Sequence, residues 1–250
     1  MYNNKKVIIV LPAYNAESTL EKTITSIPKE YVDEIILVDD FSTDNTVSLS
    51  KKLGLITIRH KKNKGYGANQ KTCYKEALKR GADIVVMIHP DYQYDPKILN
   101  NMIIPIAKGK VDSVFASRFL NKKDPLKGGM PYYKYVGNRV LTFFENLILR
   151  TSLSEFHTGY RSFSRNVLEN ISIYKNSDNF VFDTQIIIQM IIKKYKIKEV
   201  AVETRYFKEA SSIDLKASIV YGLSIFRELC KFLLTKWNIK KYSIYSWFIL

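Results

Sequence analysis

Short runs of apolar residues recur along the first third of the chain, and each run ends in a polar turn. The runs cover residues 7–11, 35–38, 55–58 and 84–88. Helical patterns separate them, for example Leu20, Ile24 and Ile27 on one helical face after the first run. Buried strands that alternate with helices through short connections are typical of a parallel α/β sheet with helices on both faces. We therefore expect residues 1–118 to form a Rossmann-like half.

The second half of the chain is less regular. Its patterns predict, in order, a strand at 113–116, a polar and mobile lid at 121–131, a helix at 132–150, a loop at 156–165, a buried helix at 183–194, a strand at 197–203 and an amphipathic helix at 213–234. From this last helix onward the chain is amphipathic, basic and aromatic. We therefore expect a main domain over residues 1–212 and a helical appendage over residues 213–250.

The charge balance indicates an anionic partner. The chain has 39 basic and 24 acidic residues, a net charge of +15. A nucleotide, a pyrophosphate, a nucleic acid or an anionic membrane surface would suit such a charge, and a basic solvated surface without a specific partner would also account for it. The lysines are dispersed and no RNA-binding motif is present, so a nucleic-acid partner is not expected.

Cysteine content and hydropathy bear on where the protein works. Cys73 and Cys230 are far apart in sequence and do not have a metal-ligand spacing, which favours a reducing cytosol. No apolar run reaches the roughly 18 residues of a membrane span. The tail 231–250 interleaves lysines with aromatic residues and has no acid. It is expected either to contact the inner face of the cell membrane or to pack as a helix on the body.

Polar residues follow the fourth apolar run directly. They are His89, Asp91, Gln93 and Asp95. In open α/β sheets, ligands bind at the carboxyl ends of the strands. Asp91 and Gln93 are two residues apart and share a face of an extended segment, and one carboxylate with diphosphate oxygens suffices for a cation such as Mg²⁺. The histidine could add a ligand or a hydrogen bond, or could be a structural residue with satisfied hydrogen bonds.

Three other polar segments are candidates for ligand binding. Asp39 and Asp40 end a strand, where they could bind a base and ribose or belong to a helix-capping loop. The loop 63–67 contains two glycines before a helix, which suits a phosphate but also an ordinary flexible loop. Residues 157–161 place an imidazole, a hydroxyl and a guanidinium around a glycine, either for phosphate binding or as an incidental turn.

Taken in order, six motifs resemble the inverting family 2 glycosyltransferases of the GT-A fold, and the dolichyl- and polyprenyl-phosphate sugar synthases in particular. The motifs are VLPAYNAE at 10–17, VDDFSTDNT at 38–46, NKGYGAN at 63–69, HPDYQ at 89–93, ASRF at 116–119 and HTGYRSFSR at 157–165. The resemblance covers residues 5–210. It implies transfer of a sugar, with inversion, from a nucleoside-diphosphate sugar to a polyprenyl phosphate or a cell-envelope glycan precursor, with Mg²⁺ or Mn²⁺.

The resemblance also implies roles for particular residues. It implies contacts with the nucleotide for Pro12, Tyr14, Asn15, Glu17, Asp39, Asp40, Lys64 and Gly67. Asp91 matches the last aspartate of the family's metal motif, Gln93 matches the glutamine after it, and His89 replaces the first aspartate. That replacement leaves open a non-catalytic scaffold as an alternative.

Arg118 would face the diphosphate or the acceptor, and His157 and Arg161 would lie on the acceptor side. The catalytic base would be Glu155, His157 or Asp183. A phosphate acceptor is already ionised and would need no strong base.

Overall fold

The computed structural model describes residues 1–121, 124–207 and 215–245. Seven strands form one sheet in the order β3-β2-β1-β4-β6-β5-β7. The strands are β1 Val7–Ala13, β2 Glu34–Asp39, β3 Ile56–Arg59, β4 Ile84–Ile88, β5 Ser113–Ser117, β6 Tyr160–Ser164 and β7 Ile197–Ala201. The helices are α1 Glu17–Thr25, α2 Thr46–Lys52, α3 Tyr66–Lys79, α4 Leu99–Ala107, α5 Asp124–Lys127, α6 Tyr132–Leu149, α7 Arg165–Asn170, α8 Phe182–Ile192 and α9 Leu215–Lys236.

The first half of the sheet confirms the predicted parallel architecture. β1 pairs in parallel with β2 and β4, and β2 pairs in parallel with β3. β1 and β4 are buried along their whole length because helices cover both faces of the sheet. Parallel pairing brings the carboxyl ends of these strands to one edge. The polar segments that follow β1, β2 and β4 therefore meet there.

The segment predicted as a loop at 156–165 contains a strand instead. β6 runs antiparallel between β4 and β5, with Val86 opposite Ser162. Both faces of β6 are covered, yet its sequence has no apolar run because its polar groups find partners inside the protein. The Ser162 hydroxyl, for example, donates to the Met102 carbonyl at 2.7 Å.

The segment predicted as a lid, 121–131, is partly anchored. Residues 122–123 lie outside the described part. Gly128 accepts a hydrogen bond at its carbonyl from the Tyr206 amide at 2.9 Å. A Cβ at this glycine would lie 2.2 Å from the Thr204 carbonyl oxygen, so only glycine fits. Met130 beyond it is buried.

The C-terminal helix α9 packs against α6 and α8. The predicted domain boundary at 212/213 lies outside the described residues. After α9 the chain folds back, and the buried Tyr245 donates a hydrogen bond to Glu228 of α9 at 2.8 Å. Trp247 and Phe248 of the predicted membrane-binding tail lie outside the described residues. Within residues 1–121, 124–207 and 215–245, no helix combines the length and the apolar character that a membrane crossing requires.

Candidate active site

A cleft of about 820 Å³ opens at the edge of the sheet where β1, β2 and β4 end. The predicted site residues that line it are Pro12, Tyr14, Asn15, Asp40, His89, Asp91, Gln93, Arg118 and His157. The predicted residues that do not line it are Glu17, Asp39, Lys64, Gly67 and Arg161. The cleft continues past the strand ends to a wall formed by residues of α6 and α9.

The turns after β1 and β2 are locked together at one end of the cleft. Asn15, in a left-handed conformation with φ 49°, accepts from the Thr43 amide at 2.9 Å and donates its own amide to Ser42 Oγ at 2.8 Å. Glu17 accepts from the Asn45 amide at 3.0 Å. The carboxylate of Glu17 therefore faces the start of α2 and not the cleft, and it orders the cleft wall indirectly.

Asp40 holds the glycine-containing loop. Its carboxylate accepts from the amides of Lys64 and Gly65, each at 2.9 Å. The buried ring of His60 contacts the same carboxylate through Nδ1 at 2.7 Å. Neither His60 nor this loop-anchoring role was predicted. The amide of Lys64 is thus engaged, and its side chain is not part of the cleft wall.

Asp39 is fully buried behind the cleft. Its Oδ2 accepts from the Ser42 amide at 3.1 Å and lies 3.4 Å from Arg59 Nε. Its Oδ1 has no hydrogen-bond partner among the described residues. A buried acceptor without a partner is costly, so a donor N–H at this point would be favourable. The predicted contact between Asp39 and a base stays a prediction.

The glycines of the loop are required by packing. A Cβ at Gly65 would lie 2.8 Å from the Asp178 carbonyl oxygen, and one at Gly67 would lie 2.4 Å from that of Ser177. The Gly67 amide donates to the Asp178 carbonyl at 2.7 Å, so it faces this segment and not a phosphate. Close approach of residues 177–178, over a hundred positions away in sequence, explains both glycines.

The residues after β4 fit a divalent cation that is shared with a substrate. Asp91 and Gln93 line the cleft, and Asp91 Oδ1 accepts from the Gln93 amide at 3.0 Å. Within the described ranges no three His, Cys, Asp or Glu side chains are grouped as a metal site. This donor set suits Mg²⁺ or Mn²⁺, which keep waters and substrate phosphate oxygens as ligands. His89 stacks on Tyr66, and its Nε2 lies 3.2 Å from the Tyr66 hydroxyl.

Arg118 lies in the cleft wall with a buried counterion behind it. Its Nε donates to Glu155 at 2.7 Å, and its backbone amide donates to the other oxygen of that carboxylate at 2.8 Å. Burial alone would lower the pKa of Arg118, but Glu155 outweighs this and the pKa is raised well above its ordinary value. The guanidinium is therefore always charged and has a fixed orientation at the cleft. Glu155 is fully buried and does not line the cleft.

Arg161 lies behind the cleft and holds a residue that faces it. The guanidinium is fully buried, and its Nη1 lies 2.9 Å from Asp183 Oδ1. The Tyr66 hydroxyl donates to the other oxygen of Asp183 at 2.8 Å. Of the three residues predicted as alternatives for the base, Asp183 and His157 line the cleft. The position of Arg161 inside the sheet gives it a supporting role.

The family model described as Glycosyl transferase family 2 matches residues 8–172 of this chain. The chain belongs to glycosyltransferase family 2. The predicted enzyme class is thereby confirmed, and the chain is a glycosyltransferase. The six motifs that carried the resemblance lie within or next to the matched residues.

Curated relatives match most of the chain. The UDP-N-acetylglucosamine–dolichyl-phosphate N-acetylglucosaminyltransferase of Methanococcus voltae is 29% identical over 243 residues, covering 90% of this chain and 95% of the relative. The polyprenol monophosphomannose synthase of Mycolicibacterium smegmatis is 23% identical over 210 residues, covering 79% and 77%.

Solved structures share the fold. Glucosyl-3-phosphoglycerate synthase from Mycobacterium tuberculosis, in complex with Mn²⁺, UDP-glucose and glycerol 3-phosphate, superposes with a TM-score of 0.70 at 18% identity. The match covers 95% of this chain and 82% of that one. The predicted GT-A fold is confirmed.

Proposed function

We propose that this glycosyltransferase moves a sugar from a nucleoside-diphosphate sugar to the phosphate of a polyprenyl phosphate, with inversion at the sugar. The observation that carries the proposal is the cleft, which has a polar end and an apolar end. At the polar end are the turns after β1, β2 and β4. The relatives named for dolichyl phosphate and polyprenol monophosphomannose support the same acceptor class.

The apolar end of the cleft suits a lipid chain. Leu141 of α6 and Ile219 of α9 line it. Beyond them the two helices expose large apolar side chains, including Phe143 and Leu223. Soluble proteins rarely expose a wide apolar surface without a partner. A polyprenyl chain that enters along this surface would bring its phosphate to the middle of the cleft.

The residues of the cleft have distinct roles in the proposed reaction. Asp91 and Gln93 would hold a divalent cation together with the donor diphosphate. When bound, such a cation neutralises the charge that builds up on the leaving diphosphate. Arg118, held by Glu155, adds a fixed positive charge at the same place. The acceptor oxygen attacks the anomeric carbon from the face opposite the leaving group, which inverts the configuration.

A phosphate acceptor requires no proton transfer in this step because its oxygen is already ionised. An acceptor hydroxyl would require a base, and Asp183 and His157 both line the cleft. A hydroxyl-bearing envelope glycan precursor is therefore the second candidate acceptor. The position of Asp183, held by Arg161 and Tyr66, favours it over His157 as that base.

We also propose that the enzyme works peripherally at the cytoplasmic face of the membrane. The exposed apolar residues of α6 and α9 support this location, as do the basic residues of the two helices and the tail. Residues 1–212 would form the catalytic body, and the segment 213–250 would attach to it through α9 and close the apolar end of the cleft.

The assay for this function offers UDP- and GDP-sugars with a short polyprenyl phosphate and Mg²⁺ or Mn²⁺, and identifies products by mass spectrometry. We expect a polyprenyl-phosphate sugar whose formation is abolished by EDTA. Asp91→Asn should lower kcat/KM on the order of 100-fold, since one group that stabilises developing charge is typically worth that much.

Asp95→Asn is the matched control for that variant. Asp95 belongs to the same polar cluster, but its side chain accepts from the Lys97 amide at 3.1 Å and caps a short helix. Its turnover should stay close to that of the wild type. If Asp91→Asn turns over at the wild-type rate, the proposal that Asp91 holds the divalent cation is wrong. If products form only on acceptors with a hydroxyl group, the acceptor is a glycan precursor and not a polyprenyl phosphate. If the protein binds no nucleotide, a non-catalytic scaffold is favoured.

A further inference from the structure

Three side chains from different elements are connected in a row where the cleft reaches the wall formed by α6 and α9. Glu145 of α6 is fully buried, and its Oε2 lies 3.0 Å from His157 Nε2. The other ring nitrogen, Nδ1, lies 3.0 Å from the hydroxyl of Tyr221 on α9. His157 and Tyr221 line the cleft, whereas Glu145 is behind them.

The burial of Glu145 determines where the protons lie. Neither of its oxygens has a hydrogen-bond partner among the described residues, and neither does His157 Nε2, but the two groups lie at ion-pair distance. A buried carboxylate is unfavourable unless a cation or a proton compensates it. His157 supplies that compensation as an ion pair, with hydrogen on both ring nitrogens. Nδ1 then carries its own hydrogen and donates to the oxygen of Tyr221.

This arrangement leaves the hydroxyl hydrogen of Tyr221 for a partner in the cleft, and the Thr184 side chain lies near the same hydroxyl. Burial raises the pKa of Tyr221, and the carboxylates of Asp183 and Glu145 raise it further, while Arg161 and the hydrogen bond with Thr184 act in the opposite direction. The hydroxyl therefore stays protonated. A hydroxyl that receives a hydrogen bond at its oxygen is also a stronger donor through its own hydrogen.

We propose that Tyr221 donates this hydrogen bond to the phosphate of the acceptor, and that Glu145 and His157 are positioning residues that orient it. The inference rests on the proposed transfer to a phosphate acceptor and assigns the place where that phosphate binds. It also makes α9 part of the acceptor site.

Two substitutions test the chain of contacts from its two ends. Tyr221→Phe removes the donor itself. Glu145→Gln removes the negative charge that keeps hydrogen on both ring nitrogens of His157, so that the glutamine oxygen accepts from Nε2–H and Nδ1 becomes an acceptor. The Tyr221 hydroxyl then turns toward His157 and no longer faces the acceptor. Each variant should raise the KM for polyprenyl phosphate roughly tenfold or more, as for one hydrogen bond to a charged group, with the KM for the nucleotide sugar unchanged.

The double variant separates this mechanism from a loss of packing. If Glu145 acts only through the Tyr221 hydroxyl, Glu145→Gln/Tyr221→Phe should have the same acceptor KM as Tyr221→Phe alone. If the KM of the double variant rises by the product of the two single effects, Glu145 does not act through Tyr221 and its positioning role is wrong. Thermal unfolding of each variant checks that the folded fraction is unchanged in the assays.

A buried carboxylate–tyrosine pair formed by Glu228 of α9 and Tyr245 beyond it supplies the controls. Glu228 accepts from the Tyr245 hydroxyl at 2.8 Å, and neither residue lines the cleft. Glu228→Gln and Tyr245→Phe make the same chemical changes without touching the acceptor site. Both should keep the wild-type KM for the acceptor.

Calorimetric binding of farnesyl phosphate to the UDP-bound protein distinguishes failure of the inference from failure of the proposed function. If the wild type transfers the sugar and both Tyr221→Phe and Glu145→Gln keep its acceptor KM, only the proposed Tyr221 contact is wrong. Binding that Tyr221→Phe weakens, without any transfer by the wild type, would support the contact and overturn the proposed reaction. Absence of both binding and transfer in the wild type would overturn both.

Discussion

At the scale of single residues, Arg161 shows how strongly the role of a charged side chain depends on its surroundings. The resemblance placed it on the acceptor side, and the structure places it fully buried beside Asp183. Burial lowers the pKa of Arg161, but the nearby Asp183 carboxylate outweighs it, and the pKa is raised. The two residues are therefore a buried ion pair.

Asp183→Asn should destabilise the protein by about 3 kcal/mol, because it leaves the Arg161 guanidinium buried without a counterion. Chemical denaturation at neutral pH measures this loss as a shift in the free energy of unfolding. Asp178→Asn is the control, since the exposed Asp178 pairs with Lys71 at the surface and such pairs contribute at most about 1 kcal/mol. Equal effects of the two substitutions would contradict the assigned importance of the buried pair.

At the scale of elements, the start of α2 depends on one carboxylate. Asp44 accepts from the Thr46 amide at 3.0 Å and from the Glu17 amide at 3.1 Å, and so joins the starts of α1 and α2. Burial alone would raise the pKa of Asp44, but the hydrogen bonds from Thr46 and Glu17 outweigh it, and the pKa is lowered. The ionised form is thus the one that the fold stabilises.

Asp44→Ala should lower the free energy of unfolding by about 1–2 kcal/mol at pH 7, an effect of the size seen when a side-chain acceptor at a helix start is lost. Since the folded pKa is lowered, the contribution of Asp44 is present above its unfolded pKa and is lost as the pH falls through the folded value. The difference between wild type and variant should therefore shrink below about pH 4. Urea unfolding at the two ends of this range measures it, with Ser48→Ala as a control inside α2. A difference that does not change with pH would contradict the electrostatic origin.

The elements also show which parts of the fold can be predicted from sequence. β1, β2 and β4 were predictable because both of their faces are buried, so each is a continuous apolar run. β6 was not predictable, because its buried polar side chains interrupt any apolar run: the Ser162 hydroxyl donates to Met102, and Arg161 forms an ion pair with Asp183. The position at the cleft wall was likewise predictable for Asp91 and Arg118. It was not predictable for Gly67, whose neighbours come from residues 177–178.

At the scale of the whole molecule, α6 and α9 form one apolar and basic face. Phe144 of α6 and Phe226 of α9 pack with ring centroids 5.4 Å apart. Phe143, Leu147 and Leu223 are each more than half exposed, at 61%, 63% and 65%. The acids of the two helices, Glu145 and Glu228, are both buried, so the exposed charges of these helices are all positive.

This face should bind membranes that contain anionic lipids, because its apolar side chains enter the interface and its basic side chains attract the headgroups. Sedimentation with phosphatidylglycerol-containing vesicles should recover more protein than sedimentation with phosphatidylcholine alone, and added salt should reduce the difference. Phe143→Ser and Leu223→Ser should each weaken binding on the order of tenfold, since burial of such a side chain is worth about 1.5–3 kcal/mol. Tyr174→Ser, at an exposed residue outside these helices, is the control. If Phe143→Ser and Leu223→Ser bind vesicles as the wild type does, this face does not contact the membrane, and the tail beyond α9 becomes the candidate for that contact.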